Sequence, residues 1–209
     1  MKIVASIQEP DMLDMAVSAK ANFIELRLDM MEGDLAGTVE LIRARTVLPL
    51  IATLRSRDEG GRFEGTSDDW FAIIEPLVRH VDLVDIETRY REHAPKIMSH
   101  GVQIIASLHR PDMPTRFELE QIALELRLFG DIPKIAVGLR SQAELLDLLA
   151  YTSEAPKPIC VSIVGEQFRC ARALLPLFGS ELAYCHVGTP TARGQYHVEE
   201  LKQLLEMLR

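Results

Sequence analysis

The chain has 209 residues, 47% of them hydrophobic, and a formal net charge of −8 at pH 7. A chain of this length can bury one substantial core, so we expect a single compact domain over residues 1–209. The acidic balance and the lack of a basic run argue against a nucleic-acid partner. No apolar stretch reaches the roughly 18 residues of a membrane-spanning helix, so no membrane association is expected.

The N-terminal residues and the cysteines predict a cytoplasmic protein. Residues 1–6 are too short and too strand-like for a signal peptide. Cys160, Cys170 and Cys185 are odd in number and have no CxxC spacing. This usage predicts buried thiols in a reducing compartment rather than a disulfide framework or a zinc site.

Eight short apolar runs alternate with longer amphipathic stretches. The runs are residues 2–6, 22–28, 47–54, 81–87, 102–108, 132–137, 158–164 and 182–187. Helical periodicity is clearest at 123–129, 143–149 and 198–205. Residues 67–69 and Ser141 are typical helix starts, and Gly130 is a typical helix end. The alternation of strands and helices predicts an α/β fold, the (β/α)8 TIM barrel.

Polar residues recur at every second position in most of five predicted strands. The segments are Glu25-Leu26-Arg27, Thr53-Leu54-Arg55, Asp85-Ile86-Glu87, Ser107-Leu108-His109 and Pro133-Lys134-Ile135-Ala136. Strand side chains alternate between faces, so each strand would send its polar set one way and its apolar set the other. The competing fold, an open doubly wound sheet, binds ligands at one switch point between two strands. Polar residues on five strands favour the closed barrel.

Lys134 is the first candidate for chemistry, because it shares its strand face with the small residues Ala136 and Gly138. Space beside an inward lysine suits a substrate carbon, and burial disfavours the ammonium form. A neutral amine can attack a carbonyl and form a Schiff base. The alternative is a lysine at the start of a strand whose amine reaches solvent.

His109 and Glu87 lie at the ends of neighbouring predicted strands. Histidine is the usual general base near neutral pH, and a carboxylate beside it can fix its tautomer. Neighbouring strands are about 4.8 Å apart, so Glu87, His109 and Lys134 on three consecutive strands can meet. The alternatives are a structural histidine and a surface ion pair of Glu87 with Arg89 or Arg91.

Glu25, Arg27, Arg55 and Arg169 form a second polar set. Inward arginines are costly unless they meet anions, and arginine is the preferred bidentate partner of a carboxylate. Arg169 falls one turn into a helix that we expect to start near Gly165, where the helix N-terminus also favours an anion. Mutual pairing of Glu25 with Arg27 or Arg55 is the alternative to substrate binding.

At these residues the sequence resembles the type I 3-dehydroquinate dehydratases, and the resemblance runs essentially end to end. Each family motif is short, but the ordered set is specific. The motifs appear here as Glu25-Leu26-Arg27-Leu28-Asp29, Thr53-Leu54-Arg55 with Glu59-Gly60-Gly61, Asp85-Ile86-Glu87, Ser107-Leu108-His109 and Pro133-Lys134-Ile135-Ala136, followed by a late arginine, Arg169, and the lid pair Gly194-Gln195.

The resemblance implies a lyase of the shikimate pathway. Such an enzyme removes water from 3-dehydroquinate by syn elimination, usually as a homodimer and without a metal or organic cofactor. Lys134 would form an imine with the C3 ketone of the substrate. His109 would remove a C2 proton and later protonate the departing C1 hydroxyl, and Glu87 would orient His109.

The resemblance also implies a set of substrate-binding residues. Two would hold the substrate carboxylate, three would face its ring hydroxyls, and one stands where relatives have a lid serine. In that order they are Arg169 and Gln195; Glu25, Arg27 and Arg55; and Thr191, with Ser6 as a further binding residue. We expect the loop 189–195 to be mobile when empty and to close on the carboxylate.

The chain departs from the family pattern at Arg110 and Pro111 and at residues 161–163, where size or polarity is roughly kept. Other functions fit parts of the pattern. A metal-dependent sugar isomerase or epimerase would take Asp29, Glu87 and His109 as ligands, but it leaves the lysine without a role. Another Schiff-base lyase or aldolase shares the lysine chemistry. A silent barrel that binds a protein partner would be expected to have a decayed site.

Overall fold

Eight parallel strands lie at the eight predicted apolar runs, in a computed structural model that describes residues 1–208. They are β1 (Lys2–Ile7), β2 (Phe23–Arg27), β3 (Leu50–Thr53), β4 (Leu83–Glu87), β5 (Gln103–Arg110), β6 (Ile132–Gly138), β7 (Cys160–Val164) and β8 (Leu182–His186). Both faces of most strands are buried, as expected for parallel strands that are covered on both sides.

The strands pair in the order β7-β6-β5-β4-β3-β2-β1-β8. In the described part of the chain, β7 and β8 share no ladder of backbone hydrogen bonds. Side chains cross this seam instead: the Cys160 thiol lies 3.6 Å from the carbonyl oxygen of Leu182, and Ser180 Oγ accepts from the amide of Val161 at 2.9 Å. The sheet therefore curls into a nearly closed barrel, and the predicted (β/α)8 fold is confirmed.

Within residues 1–208, eight α-helices cover the outside of the barrel. They are α1 (Leu13–Ser18), α2 (Leu35–Arg45), α3 (Ser67–Ile74), α4 (Ala94–Met98), α5 (Arg116–Arg127), α6 (Gln142–Glu154), α7 (Ala171–Leu177) and α8 (Val198–Met207). Ser141 caps α6 as predicted, through its hydroxyl and the amide of Glu144. The cap of α3 is Thr66, immediately before the predicted residues 67–69. None of the helices within residues 1–208 combines the length and the apolar character that crossing a membrane requires.

The main error in the predicted elements concerns α7. We expected a helix from near Gly165, but α7 begins at Ala171. Gly165 has a φ of +87°, and turns occupy the residues up to the helix. This shift moves Cys170 into an exposed turn, so only Cys160 and Cys185 are the buried thiols that we predicted.

The barrel interior has an apolar floor and a polar upper part. Six inward residues form the floor: Val4, Ile51, Leu83, Ile105, Cys160 and Leu182. The next inward positions along the strands are mainly polar and buried, among them Ser6, Glu25, Asp85, Ser107 and Lys134. Because the strands are parallel, this polar layer faces the carboxyl ends of the strands, where barrels of this kind bind ligands.

Candidate active site

A cavity of about 460 Å³ opens at the carboxyl ends of the strands. Seven of the predicted site residues line it: Glu25, Arg27, Arg55, His109, Lys134, Thr191 and Gln195. The other three do not. Ser6 lies beneath Glu25, Glu87 is buried behind Arg55, and Arg169 lies near the rim.

Lys134 points into the cavity from β6 and meets a buried carboxylate. Its Nζ donates to Oδ2 of Asp85 at 2.8 Å, and both side chains are almost fully buried. The other oxygen of Asp85 accepts from Arg55 at 2.7 Å and from Ser107 at 2.5 Å. Burial would raise the pKa of Asp85, but Arg55 and Lys134 outweigh it and hold that pKa well below its usual range. Asp85 therefore stays ionised and fixes the position of the lysine nitrogen.

Glu87 belongs to a structural network rather than to the histidine. One of its oxygens accepts from Arg55 at 3.0 Å and from the amide of Ser56 at 2.8 Å. The other accepts from the Ser56 hydroxyl at 2.6 Å. The expectation that Glu87 orients His109 is therefore wrong. Its carboxylate fixes the chain just beyond β3, where Arg55 must turn inward.

The carboxylate that contacts His109 is Glu59. Its Oε2 lies 2.7 Å from Nδ1 of the imidazole and also accepts from the backbone amide of His109 at 3.1 Å. Glu59 reaches the cavity from a short 3-10 turn after β3, and Gly60 follows it with a φ of +84°. A Cβ at Gly61 would lie 2.1 Å from the carbonyl oxygen of Arg55, so only glycine allows the chain to pass this close to the backbone of Arg55.

The electrostatics of Glu59 and His109 suit a base and its orienting carboxylate. Burial, helped by Arg55 and Lys134, holds the pKa of His109 well below 6.5, so the ring is neutral at pH 7. Burial also raises the pKa of Glu59 to about 8, although Arg55 opposes this. Proton uptake by this pair therefore goes to Glu59 before the imidazole. Above about pH 8 Glu59 is ionised, accepts from Nδ1–H and leaves Nε2 with a free lone pair, so the pair is competent as a base there.

Glu25 and Arg27 do not pair with each other but with different neighbours. Glu25 accepts from Ser6 Oγ at 2.5 Å and from Thr53 Oγ1 at 2.9 Å. Arg27 makes two hydrogen bonds to Asp29, at 2.9 and 2.8 Å. Two hydroxyl groups, and not an arginine, therefore bind the Glu25 carboxylate, which keeps acceptor capacity toward the cavity.

The loop 189–195 covers the cavity beside β1 and β2. Arg27 donates to the carbonyl oxygen of Thr191 at 3.1 Å, and Gln195 bonds both Thr191 and Ser6. A Cβ at Gly194 would lie 2.8 Å from the carbonyl oxygen of Gly165, so the loop packs closely on the segment after β7. These contacts bring Thr191 and Gln195 to the cavity wall as predicted.

The arginine beside this loop is Arg172, not Arg169. Arg169 pairs with Glu200 at 2.8 Å, stacks on Tyr196, and is absent from the cavity wall. Arg172, in the first turn of α7, lines the cavity and is buried. Its one hydrogen bond within residues 1–208 goes to the carbonyl oxygen of Arg193, and its Nε has no partner there. Burial, with Arg169 nearby, lowers the pKa of Arg172 to about 10. A buried cation without a carboxylate partner is suited to an anionic ligand.

Three cavity residues were not predicted from the sequence: Glu59 as the partner of His109, Arg172, and Tyr184. Tyr184 lies on β8, two positions before His186, and so shares the inward face at the spacing used for the other strands. The same spacing would have identified it.

The chain is similar to known proteins over its whole length. The profile of the type I 3-dehydroquinase family matches residues 4–209. The chain is 47% identical to the 3-dehydroquinate dehydratase of Methanoregula boonei over 208 residues, which are 100% of this chain and 100% of the relative. These matches cover the whole barrel rather than one motif.

Solved structures with the same fold include two 3-dehydroquinate dehydratases. The enzyme from Geobacillus kaustophilus has a TM-score of 0.91 at 22% identity, with 99% of this chain and 90% of that chain covered. The type I enzyme from Clostridium difficile, described with covalently modified comenic acid, has a TM-score of 0.87 at 25% identity and covers 99% and 91%.

Proposed function

The chain belongs to the type I 3-dehydroquinase family, and we propose that it removes water from 3-dehydroquinate through an imine formed on Lys134. The reaction is that of a hydro-lyase, and its context is the shikimate pathway. One observation carries the mechanism: Lys134 and a neutral His109, backed by Glu59, line one cavity from adjacent strands.

The imine begins with attack of Lys134 Nζ on the C3 carbonyl carbon. A C–N bond forms, the carbonyl π electrons move to oxygen, and that oxygen then leaves as water after it takes up the two protons that the nitrogen gives up. Attack requires a lone pair on Nζ, and His109 is the neutral base that lines the same cavity. Asp85 keeps Nζ in place, and the small Ala136 beside it on β6 leaves room for the substrate ring.

The elimination uses the imine as an electron sink. His109 takes the C2 proton, and the C–H electron pair moves toward the nitrogen. The pair then returns to form the C1–C2 double bond as the C1 hydroxyl leaves with a proton from His109. Hydrolysis of the imine restores Lys134. One imidazole can serve as base and then acid because both groups leave from the same face, which is the syn course.

Arg172 and Gln195 are the residues that we assign to the substrate carboxylate. Arg172 is a buried cation without a carboxylate partner among residues 1–208, and the Gln195 amide, which donates one hydrogen bond to Ser6, has a second N–H to donate. Glu25, Arg27 and Arg55 line the side of the cavity nearer β2 and β3, where they would face the ring hydroxyls. Closure of the loop 189–195 over the substrate would exclude water from the imine.

We further propose a cytoplasmic homodimer. An exposed apolar stripe on α5 and its C-terminal cap supports association, since Phe117, Leu124 and the cap residue Leu128 are 69%, 59% and 86% exposed and lie at the spacing of one helix face. Sedimentation should give twice the chain mass for the wild type and about one chain mass for Leu124→Lys. A wild type that sediments as a monomer would exclude the dimer.

Trapping the imine tests the proposed function. The protein is incubated with 3-dehydroquinate and borohydride, and the labelled peptide is identified by mass spectrometry. One reduced substrate should add to the peptide that contains Lys134, and enone absorbance should appear when borohydride is omitted. Lys134→Ala should give neither result. Label on another lysine, or equal labelling of Lys134→Ala, would overturn the mechanism. Exhaustive chelation should leave turnover unchanged.

A further inference from the structure

Tyr184 is the one aromatic residue in contact with the reacting amine among residues 1–208. It lies on β8, across the seam from β6 and β7, and follows the floor residue Leu182 on the inward face. Nζ of Lys134 lies over its ring, 4.1 Å from the ring centroid. The ring also lines the cavity. The amine is therefore held at two points, by the Asp85 carboxylate and by the tyrosine ring.

We propose that Tyr184 is a further positioning residue of this reaction, whose ring supports the Lys134 nitrogen while that nitrogen is charged, first as the ammonium and then as the protonated imine. The role rests on the proposed imine at Lys134. A cation over the face of an aromatic ring is attracted to it, more strongly where water is excluded.

Imine formation affects the two contacts of Lys134, the hydrogen bond to Asp85 and the contact with the Tyr184 ring, in different ways. An ammonium carries three N–H donors, whereas a protonated imine carries one and is fixed by the substrate carbon. The hydrogen bond to Asp85 depends on the direction of an N–H group. Attraction to the ring does not, because it requires only positive charge above the ring face. Tyr184 can therefore hold the nitrogen in stages of the reaction in which the hydrogen bond to Asp85 is weakened.

The hydroxyl of Tyr184 plays no part in this contact. It is buried and has no hydrogen-bond partner within residues 1–208. Burial, with Glu25 nearby, raises the pKa of Tyr184 well above 10, so the hydroxyl stays neutral. A buried polar atom without a partner destabilises the fold. Tyr184→Phe should therefore keep the function and not lower the melting temperature, whereas removal of the ring should impair the function.

The test compares the rate of borohydride labelling at Lys134 in three variants. Tyr184→Phe should be labelled within about twofold of the wild-type rate. Tyr184→Leu should be labelled about 10–30-fold more slowly, with a KM within about threefold of wild type. Tyr151→Leu is the matched control, because it removes a buried ring on α6 whose hydroxyl bonds Leu119. It should lower the melting temperature but leave the labelling rate unchanged.

A spectrum of the unliganded protein tests the contact without catalysis. In ¹³C-lysine-labelled protein, the Cε protons of Lys134 should be shifted upfield by the ring in the wild type and in Tyr184→Phe. The signal is identified by its loss in Lys134→Ala. Absence of an upfield signal in the wild type would overturn the contact. Normal labelling of Tyr184→Leu, with a labelled wild type, would overturn only the role of Tyr184. An unlabelled wild type would overturn the proposed function and this role with it.

Discussion

The two sides of the barrel mouth differ in how their polar groups are satisfied. On the side of β2 to β6, each buried charge has a partner: Asp85 meets Lys134 and Arg55, Glu87 meets Arg55 and Ser56, and Arg27 meets Asp29. On the side of β7 and β8, four buried side-chain atoms have no partner within residues 1–208. They are Nε of Arg169, Nε of Arg172, the hydroxyl of Tyr184 and Nδ1 of His186.

This difference indicates that the two sides of the barrel mouth have different functions. Paired charges are already fixed in position and do not reorganise during a reaction, so the β2–β6 side is suited to the chemical steps. Unpaired groups are costly to bury and gain most from a ligand that satisfies them. Of the four atoms, Nε of Arg172 belongs to the cavity-lining cation without a carboxylate partner within residues 1–208, so the β7–β8 side is suited to binding through Arg172. The seam between β7 and β8, which lacks a backbone ladder, lies on this same side.

Loss of the base on the paired side should give the largest effect. His109→Ala removes the group that takes the C2 proton but leaves Lys134 and the carboxylate-binding residues in place. We expect kcat to fall by about 10²–10⁴-fold, the usual contribution of general acid–base catalysis, while borohydride still labels Lys134 at a measurable but lower rate. Near wild-type turnover would show that the base lies elsewhere. Steady-state kinetics and labelling on the same preparation separate these outcomes.

The two carboxylates of the paired side should separate into catalytic and structural roles. Glu59→Gln should lower kcat by about 10²-fold with little change in stability, because Glu59 touches His109. Glu87→Gln should lower the free energy of unfolding by about 1–3 kcal/mol, since it disrupts buried bonds to Arg55 and Ser56. Urea unfolding and kinetics on both variants test this. The opposite pattern would return Glu87 to the orienting role.

The sequence predicted the strands correctly but assigned the wrong carboxylate to His109. Eight strands and most of the inward residues were predicted because the period-two pattern depends only on alternation along a strand. Glu59 was not assigned to His109, because it reaches the histidine from a turn whose path depends on Gly61. Adjacency of strands favoured Glu87, but Arg55 and Ser56 hold that carboxylate.

The late arginine was misplaced for a related reason. We placed the helix start near Gly165, which put Arg169 in its first turn. The chain instead turns from Gly165 to the start of α7, and Arg172 occupies the first helical turn. Loop geometry of this kind depends on tertiary packing, here the contact of Gly194 with Gly165, which no local pattern encodes.

Binding on the unpaired side should depend on Arg172 and not on Arg169. Arg172→Ala should raise KM by about 10–100-fold, the loss expected for a buried charge-assisted hydrogen bond. Arg169→Ala is the matched control and should change KM by less than about threefold, because its pair with Glu200 is exposed. A larger effect for Arg169→Ala would mean that Arg169 moves into the site when the substrate binds.

The pH dependence of catalysis should give the smallest effect, and it distinguishes the pair of Glu59 and His109 from an isolated histidine. The pKa of Glu59 is raised to about 8, while that of His109 is held well below 6.5. As the pH falls through 8, the proton adds to Glu59, which then donates to Nδ1 and leaves Nε2 protonated and unable to act as a base. Wild-type kcat/KM should therefore fall at most tenfold per pH unit below about pH 8.

Glu59→Gln removes that titration, so its lower kcat/KM should stay flat from pH 8 to 6.5 and decline only when His109 itself is protonated. Profiles of both proteins in one buffer series, with unfolding checked at each pH, provide the measurement. A wild-type profile that is flat to pH 6.5 would show that the N–H groups of Arg55 and His109, which converge on Oε2 of Glu59, outweigh its burial. The carboxylate would then remain ionised, and the paired side would be insensitive to pH across the physiological range.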